Sequence, residues 1–132
     1  MFRLLATTAT TTLLATAAAL VLSVAQLAAE PTKTSQTATG ALLTDMAGMT
    51  LYTFDKDMPG VSNCLAECLV NWPVLAAAEG DAAMGDYGVI ARPDGLKQWS
   101  YKGMPLYTFI KDTAPGEVKG DGVKGVWHIA RP

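Results

Sequence analysis

The sequence lacks the short motifs that mark common catalytic and cofactor sites. It has no Gly-x-Ser-x-Gly nucleophile motif, no phosphate-binding glycine loop and no Cys-x-x-Cys-His haem motif. Its 132 residues include one histidine, His128, which follows Trp127, and a lone histidine without a nucleophile motif does not indicate catalysis. We therefore expect a protein that is not an enzyme, since a hydrolase would need a pocket with perturbed titratable groups.

Positive charge is also scarce. Lys and Arg number 10 against 12 Asp and Glu, and they form no basic stripe along the chain. This balance argues against nucleic acid and anionic lipid as partners. It leaves an envelope protein or a small ligand open as the partner, and it indicates no cofactor.

Charge is almost absent from residues 1–29, which carry Arg3 and then a long run of Leu, Ala, Thr and Val. A basic start, an apolar stretch and small residues at its end are typical of a secretory signal peptide. The Ser-Val-Ala at 23–25 fits the small-x-small cleavage rule best, and cleavage after Ala28 or Ala29 is compatible too. A retained membrane anchor is the alternative, because the uncharged run is long enough to span a bilayer.

Cysteine occurs only at Cys64 and Cys68, far from the end of the signal segment, so no lipid-attachment cysteine is available there. We therefore expect a periplasmic or secreted protein that is not lipidated and has no membrane contact after cleavage. Residues 30–39 contain no large apolar side chain and predict a flexible leader. The remaining residues, 40–132, are long enough for one small domain.

A ten-residue segment of this domain occurs twice. Gly48–Asp57 returns as Gly103–Asp112 at an offset of 55 residues, and Trp72 and Trp127 stand at the same offset. We therefore predict a mainly β (α+β) fold, in which two pseudo-repeats over about 40–75 and 88–131 pack on each other. Each repeat consists of antiparallel hairpin or meander strands.

Alternation of side chains predicts the strand within each repeat. Tyr52 and Phe54 point to one side of an extended chain, as do Tyr107 and Phe109 in the second copy. The first copy predicts a hairpin over 41–44 and 49–54, and then a helix over 62–71 that Ser62 or Asn63 would cap. The second copy predicts a meander over 88–92, 96–101 and 104–110, with a last strand over 125–131.

Two aspartates, Asp57 and Asp112, fall just past these strands, where a carboxylate accepts backbone N–H groups of the following turn. A cation site is the alternative, but Pro59 stands at a ligand position of the calcium-loop pattern. In the second copy, the position that matches Asp55 is occupied by Ile110, which cannot bind a cation through its side chain. We expect these residues to be structural.

The cysteines lie four residues apart on the predicted helix, where two side chains face one another. In an exported protein such a pair is typically a disulfide. A redox or metal role is the alternative, with Cu(I) as the metal because it prefers thiolate and thioether ligands. The methionines that could add ligands are irregularly spaced, and we expect no metal site: Met46, Met49, Met58, Met84 and Met104.

The remaining large side chains are predicted to build the core, although an exposed aromatic face for a ligand stays open. They are Trp72, Trp99, Trp127, Tyr52 and Tyr107.

These motifs resemble those of a known bacterial family of secreted proteins and lipoproteins that carry a Tyr-x-aromatic-x-x-Asp repeat of unknown function. The motif stands at Tyr52, Phe54 and Asp57 and again at Tyr107, Phe109 and Asp112. The family's Cys-x-x-x-Cys and Trp-Pro are matched by Cys64, Cys68 and Trp72-Pro73, and the likeness covers residues 40–131.

Many members of that family look lipid-anchored, and this chain differs because it lacks the cysteine for it. The resemblance implies no established activity. Our hypothesis is a non-enzymatic binding or envelope-associated module, and the alternative is a redox or copper-handling protein that uses Cys64 and Cys68.

Overall fold

The computed structural model describes residues 8–19 and 29–132. Residues 8–19 form neither helix nor strand, and the first strand begins at Lys33. Much of the predicted signal peptide, including the expected cleavage site at 23–25, lies outside the described residues. Within the described part of the chain, no helix has the length and apolar character needed to cross a membrane.

Short antiparallel strands build the domain. The strands are β1 Lys33–Thr37, β2 Gly40–Thr44, β3 Tyr52–Phe54, β4 Tyr87–Ala91, β5 Lys97–Tyr101, β6 Met104–Pro105 and β7 Trp127–Ile129. Strand β1 pairs with β2, β3 pairs with β7, and β4, β5 and β6 form a three-stranded sheet in that order. Among the residues that the structure describes, the helical segments are the helix α1, Cys68–Asn71, and a 3-10 turn, Val123–Gly125. The predicted mainly β class, with one short cysteine-bearing helix and two repeats, is confirmed.

The segment expected to be a flexible leader, 30–39, instead contributes a strand. Strand β1 pairs with β2 from Lys33 opposite Thr44 to Thr37 opposite Gly40. Just before it, the buried Thr32 hydroxyl is hydrogen-bonded to the Tyr87 hydroxyl at 2.5 Å. The polar sequence concealed this strand because β1 lies at the edge of its sheet and most of its side chains face solvent.

The helix expected over 62–71 is much shorter in the structure. Its first residue is Cys68, with Glu67 at the N-cap position, so neither Ser62 nor Asn63 caps it. Ala66 has a φ of 51°, a left-handed conformation that cannot lie inside a right-handed helix. The segment before Cys68 is therefore irregular, and Ser62 turns into the core instead.

The strands expected over 49–54, 104–110 and 125–131 are also shorter than predicted. Strand β6 ends at Pro105, because the chain then leaves β5 and joins other partners. Tyr107 forms single bridges with Tyr52 on one side and with Val74 on the other. The long apolar run of the second copy is thus divided between two neighbouring sheets.

The two repeats meet at an antiparallel bridge between the motif tyrosines. The Tyr52 N–H donates to the Tyr107 carbonyl at 2.8 Å, and the Tyr107 N–H donates to the Tyr52 carbonyl at 3.0 Å. On its other side, Tyr52 pairs with Ile129 of the second repeat. Tyr107 pairs in the same way with Val74, which is the equivalent of Ile129 in the first repeat. Each motif strand is therefore flanked on both sides by segments of the opposite repeat.

The core at this junction is a stack of four aromatic rings. Phe54, Trp127, Trp72 and Phe109 follow one another with centroid distances of 4.3, 3.7 and 4.2 Å. Successive rings come from alternate repeats, and all four are buried. Because burial of large aromatic surface is a main source of folding free energy, this stack binds the repeats to each other.

Candidate functional site

The motif tyrosines and aspartates form two hydrogen bonds that cross between the repeats. The Tyr107 hydroxyl donates to Asp57 Oδ2 at 2.6 Å, and the Tyr52 hydroxyl donates to Asp112 Oδ2 at 2.5 Å. All four side chains are buried. In each repeat the aspartate follows the tyrosine by five residues, and each group pairs with its counterpart from the other repeat.

The second oxygen of each carboxylate fixes the loop that follows its strand. Asp57 Oδ1 accepts the Asn63 N–H at 2.6 Å, and Asp112 Oδ1 accepts the Lys119 N–H at 2.9 Å. Each aspartate therefore joins its own loop to the tyrosine of the opposite repeat. A carboxylate that accepts both a phenol and a backbone donor has its hydrogen-bonding capacity largely satisfied inside the protein.

A buried arginine extends this network on the Tyr107 side. Arg92 Nη1 donates to Ser62 Oγ at 2.5 Å, and that hydroxyl lies 2.6 Å from the Tyr107 hydroxyl. Arg92 Nη2 donates to the Cys64 carbonyl at 2.8 Å, and its Nε lies 3.1 Å from an Asp94 carboxylate oxygen. The arginine side chain has no solvent exposure, so these hydrogen bonds and the Asp94 carboxylate replace the water that would otherwise solvate its positive charge.

Sequence reasoning missed Arg92 and the role of Ser62. Arg92 precedes a Pro-Asp-Gly turn and looks like a surface residue from its neighbours. Its local sequence does not reveal its burial, because Asp94 is close to it in the chain but Ser62 and Cys64, its other partners, come from the first repeat.

Burial raises the pKa of Tyr107 and of Tyr52, and the hydrogen bond that each donates to an aspartate adds to the rise. Burial also raises the pKa of Asp57, while the hydrogen bonds from Tyr107 and Asn63 oppose that change. Both phenols therefore keep their protons at neutral pH and act as hydrogen-bond donors.

Cys64 and Cys68 form a disulfide with their Cα atoms 5.3 Å apart. Cys64 is fully buried in the aromatic core, whereas Cys68 is half-buried at its edge. In the second repeat Gly120 takes the place of Cys64, one residue after the N–H that binds the aspartate. A Cβ at Gly120 would lie 2.7 Å from the Trp72 ring, so that position has no room for a cysteine.

The other candidate ligands stay apart. Among the described residues, no group of three or more His, Cys, Asp and Glu side chains is arranged to hold a metal ion. His128 lies on β7 opposite Thr53 of β3, and its Nε2 lies 2.7 Å from a carboxylate oxygen of the exposed Asp55. Met46 and Met58 are largely exposed.

A cleft of about 200 Å³ opens where the two repeats meet, and we call it the aromatic cleft. It is lined by Phe54, Lys56, Cys68, Asn71, Trp72, Lys124, Val126 and Trp127. Four of these residues were candidates from the sequence: Phe54, Cys68, Trp72 and Trp127. The two lysines were not among the sequence candidates. A more open depression of about 390 Å³, lined in part by Asp45, Asp81 and Trp99, lies elsewhere on the domain.

Fold and site together define a two-repeat β domain closed by exchanged tyrosine–aspartate pairs. The model of a lipoprotein family, described as a secreted repeat of unknown function, matches residues 33–76 and 88–131. These matches cover more than half of the chain, which therefore belongs to this family. The first match starts at residue 33, so the first repeat includes β1. No curated protein and no solved structure matches the chain.

Proposed function

We propose that the protein is exported through a cleaved signal peptide, carries no lipid, and acts as a non-enzymatic binding or envelope-associated module. The observation that carries the non-enzymatic part of this proposal is the exchanged pairing of Tyr107 with Asp57 and of Tyr52 with Asp112. These acids and hydroxyls are buried and engaged with one another, so they hold the fold and cannot reach a substrate. The function then belongs to the surface that this rigid junction supports.

The aromatic cleft is the part of that surface best suited to a ligand. Binding sites occur preferentially where structural units meet, and they combine aromatic walls with a few polar groups. The cleft lies at the junction of the repeats and combines Phe54, Trp72 and Trp127 with the polar Lys56, Asn71 and Lys124.

Export is tested on the full chain, expressed with its own N-terminus and separated into cellular fractions. We expect a mature product outside the cytoplasm that begins after Ala25, Ala28 or Ala29 and has the mass of an unmodified chain. An uncleaved product in the membrane, or a product heavier by an acyl group, would contradict the proposal.

Envelope association is tested by sedimenting the purified mature protein with isolated cell-wall sacculi and, separately, with membrane vesicles. We expect saturable co-sedimentation with the sacculi, reduced by an excess of unlabelled protein, and none with the membrane vesicles. No sedimentation with either, together with hydrolysis of a chromogenic ester, phosphate or glycoside by the pure protein, would show that an enzymatic role was overlooked.

A second candidate is a redox or copper-handling role for the disulfide, favoured by the half-buried Cys68 at the aromatic cleft. The thiolate of a dithiol reductant would attack Cys68 Sγ and release Cys64 as a thiolate. The second thiol would then free Cys68, so that two electrons pass to the protein. The two thiolates so formed are ligands that Cu(I) prefers.

Titration in glutathione and dithiol buffers tests this candidate. A reduction potential above about −300 mV supports a redox role, because structural disulfides of secreted proteins lie below that value. Copper bound by the reduced protein in a one-to-one ratio would support the metal role. A disulfide that resists both buffers is structural and ends the candidate.

A further inference from the structure

We infer that the aromatic cleft binds a small anion with a planar, apolar body, of which an aromatic carboxylate is the simplest example. This inference rests on the proposed binding function and names the class of ligand for it.

The two indole rings that line the cleft have both of their faces covered by other rings. Trp127 has Phe54 on one face at 4.3 Å and Trp72 on the other at 3.7 Å, with interplanar angles of 12° and 4°. Trp72 is likewise covered by Trp127 and by Phe109 at 4.2 Å. Both indole rings can therefore meet the cleft only along an edge.

Ring edges carry the positive end of the aromatic quadrupole, and ring faces carry the negative end. The indole edges at the cleft therefore attract negative charge and accept the face of a planar ring in an edge-to-face contact. Exposed ring faces would favour a cation instead.

The charged groups of the cleft have the same sign. Lys56 and Lys124 line it, both are exposed, and the Asn71 amide adds a donor, while none of the lining residues is acidic. In the described part of the chain neither ammonium lies within ion-pair distance of a carboxylate. Two ammonium groups without a protein counter-ion complement an anionic ligand.

The backbone at Lys124 adopts a left-handed conformation in the turn that borders the cleft. Lys124 has a φ of 51° and a ψ of 17°, within the 3-10 turn Val123–Gly125. A left-handed conformation is uncommon for a long side chain, and glycine would adopt it without strain. This turn places the Lys124 side chain at the cleft.

The size of the cleft limits the ligand. Its volume of about 200 Å³ is smaller than the roughly 300–1,000 Å³ of pockets for drug-sized molecules. We therefore expect a ligand with a single ring and one anionic group rather than a polymer or a nucleotide.

The first experiment titrates the wild-type protein with benzoate, followed by tryptophan fluorescence and by two-dimensional NMR. Benzamide has nearly the same shape without charge, and benzylammonium reverses the charge. We expect saturable binding of benzoate with a dissociation constant on the order of millimolar. Benzamide should bind at least about fivefold more weakly, the effect of one exposed ion pair, and benzylammonium more weakly still. The NMR shifts should centre on Trp72 and Trp127.

The second experiment compares Lys56→Gln and Lys124→Gln with a matched control, Lys111→Gln. Lys111 occupies the position of Lys56 in the second repeat, is equally exposed, and does not line the cleft. Each cleft variant should weaken benzoate binding about fivefold, whereas the control should bind as the wild type does. Unfolding midpoints in urea check that all three variants are folded.

Equal affinity for benzoate and benzamide, an equal loss in Lys111→Gln, or no saturation of the wild type overturns the inference. The sedimentation assay separates this failure from that of the proposed function. Protein that still associates with sacculi but does not bind benzoate has a binding function and a different ligand class. Protein that does neither loses both proposals.

Discussion

Each motif tyrosine has an aspartate and a further group at its hydroxyl, and the further group differs between the repeats. The Tyr107 hydroxyl contacts Ser62 Oγ at 2.6 Å, whereas the Tyr52 hydroxyl accepts the Gly120 N–H at 3.2 Å. Only the Tyr107 side reaches Arg92 through Ser62. The same motif therefore produces two unequal polar sites. Removal of the Tyr107 hydroxyl should disturb a larger hydrogen-bond network than removal of the Tyr52 hydroxyl.

We predict that Tyr107→Phe lowers the free energy of unfolding by about 1–3 kcal/mol, because Asp57 Oδ2 loses its buried donor. Equilibrium unfolding in urea measures the change. The control is Tyr101→Phe, a half-buried tyrosine whose hydroxyl donates to no aspartate in the described part of the chain. An equal loss in the two variants would mean that the aspartate contact contributes nothing.

The decrease in the free energy of unfolding at alkaline pH should also depend on the hydroxyl groups of Tyr52 and Tyr107. Burial raises the folded-state pKa of Tyr52 and Tyr107 above the ordinary value of 10.0, so the unfolded chain loses these protons first as pH rises. The stability they contribute is complete below pH 10.0 and is lost above it. The loss approaches about 1.4 kcal/mol per pH unit for each tyrosine.

Urea unfolding at a series of pH values above 10 measures this slope, and the tyrosinate absorbance reports ionisation directly. The double variant Tyr52→Phe, Tyr107→Phe should show a shallower decline than the wild type. Ionisation of all four tyrosines near pH 10 in the folded protein would contradict the prediction.

At the scale of elements, tertiary contacts overrode local sequence signals. The polar β1 is a strand because β2 pairs with it, and the apolar run after β6 divides because Tyr107 leaves β5 for Tyr52 and Val74. The segment before α1 is drawn out of a helix by the buried contacts of Ser62 and Cys64. Propensity is a weak guide where such contacts compete with it.

The loop after the second motif has no room for a side chain at Gly120, and this can be tested. Gly120→Ala should destabilise the fold by about 1–3 kcal/mol or more, because its Cβ would lie 2.7 Å from the Trp72 ring and 2.9 Å from the Tyr52 ring. Both rings are held by the core and cannot move aside.

Gly88→Ala is the matched control. Its Cβ would meet only the Ser100 hydroxyl, at 2.8 Å, and a hydroxyl group can rotate away. Thermal unfolding of both variants compares the two costs. A smaller loss in Gly120→Ala than in Gly88→Ala would contradict the packing described for the Trp72 ring.

On the scale of the whole molecule, the repeats are interlocked rather than joined end to end. The motif strand of each repeat has its neighbours in the other repeat, and the four-ring stack alternates between them. Each repeat buries its aromatic rings against the other repeat, so we expect the two to fold as one cooperative unit.

We therefore predict that fragments 29–86 and 87–132 are each unfolded alone and regain the native spectrum when mixed. Near-ultraviolet circular dichroism of the tryptophans measures the recovery, with the intact chain as reference. A first fragment that unfolds cooperatively on its own would show that the repeat is an independent domain.

The sequence by itself determined the mainly β class, the duplication and the candidate motif residues, because alternation and internal repetition are local properties of the chain. The tertiary structure decided which residues meet: Tyr107 with Asp57, Arg92 with Ser62, and the tryptophans with each other. These contacts join positions far apart in the chain, and they depend on the exchange of partners between the repeats. The aromatic cleft arises from the same exchange, since its walls come from both repeats and no single segment contains its pattern.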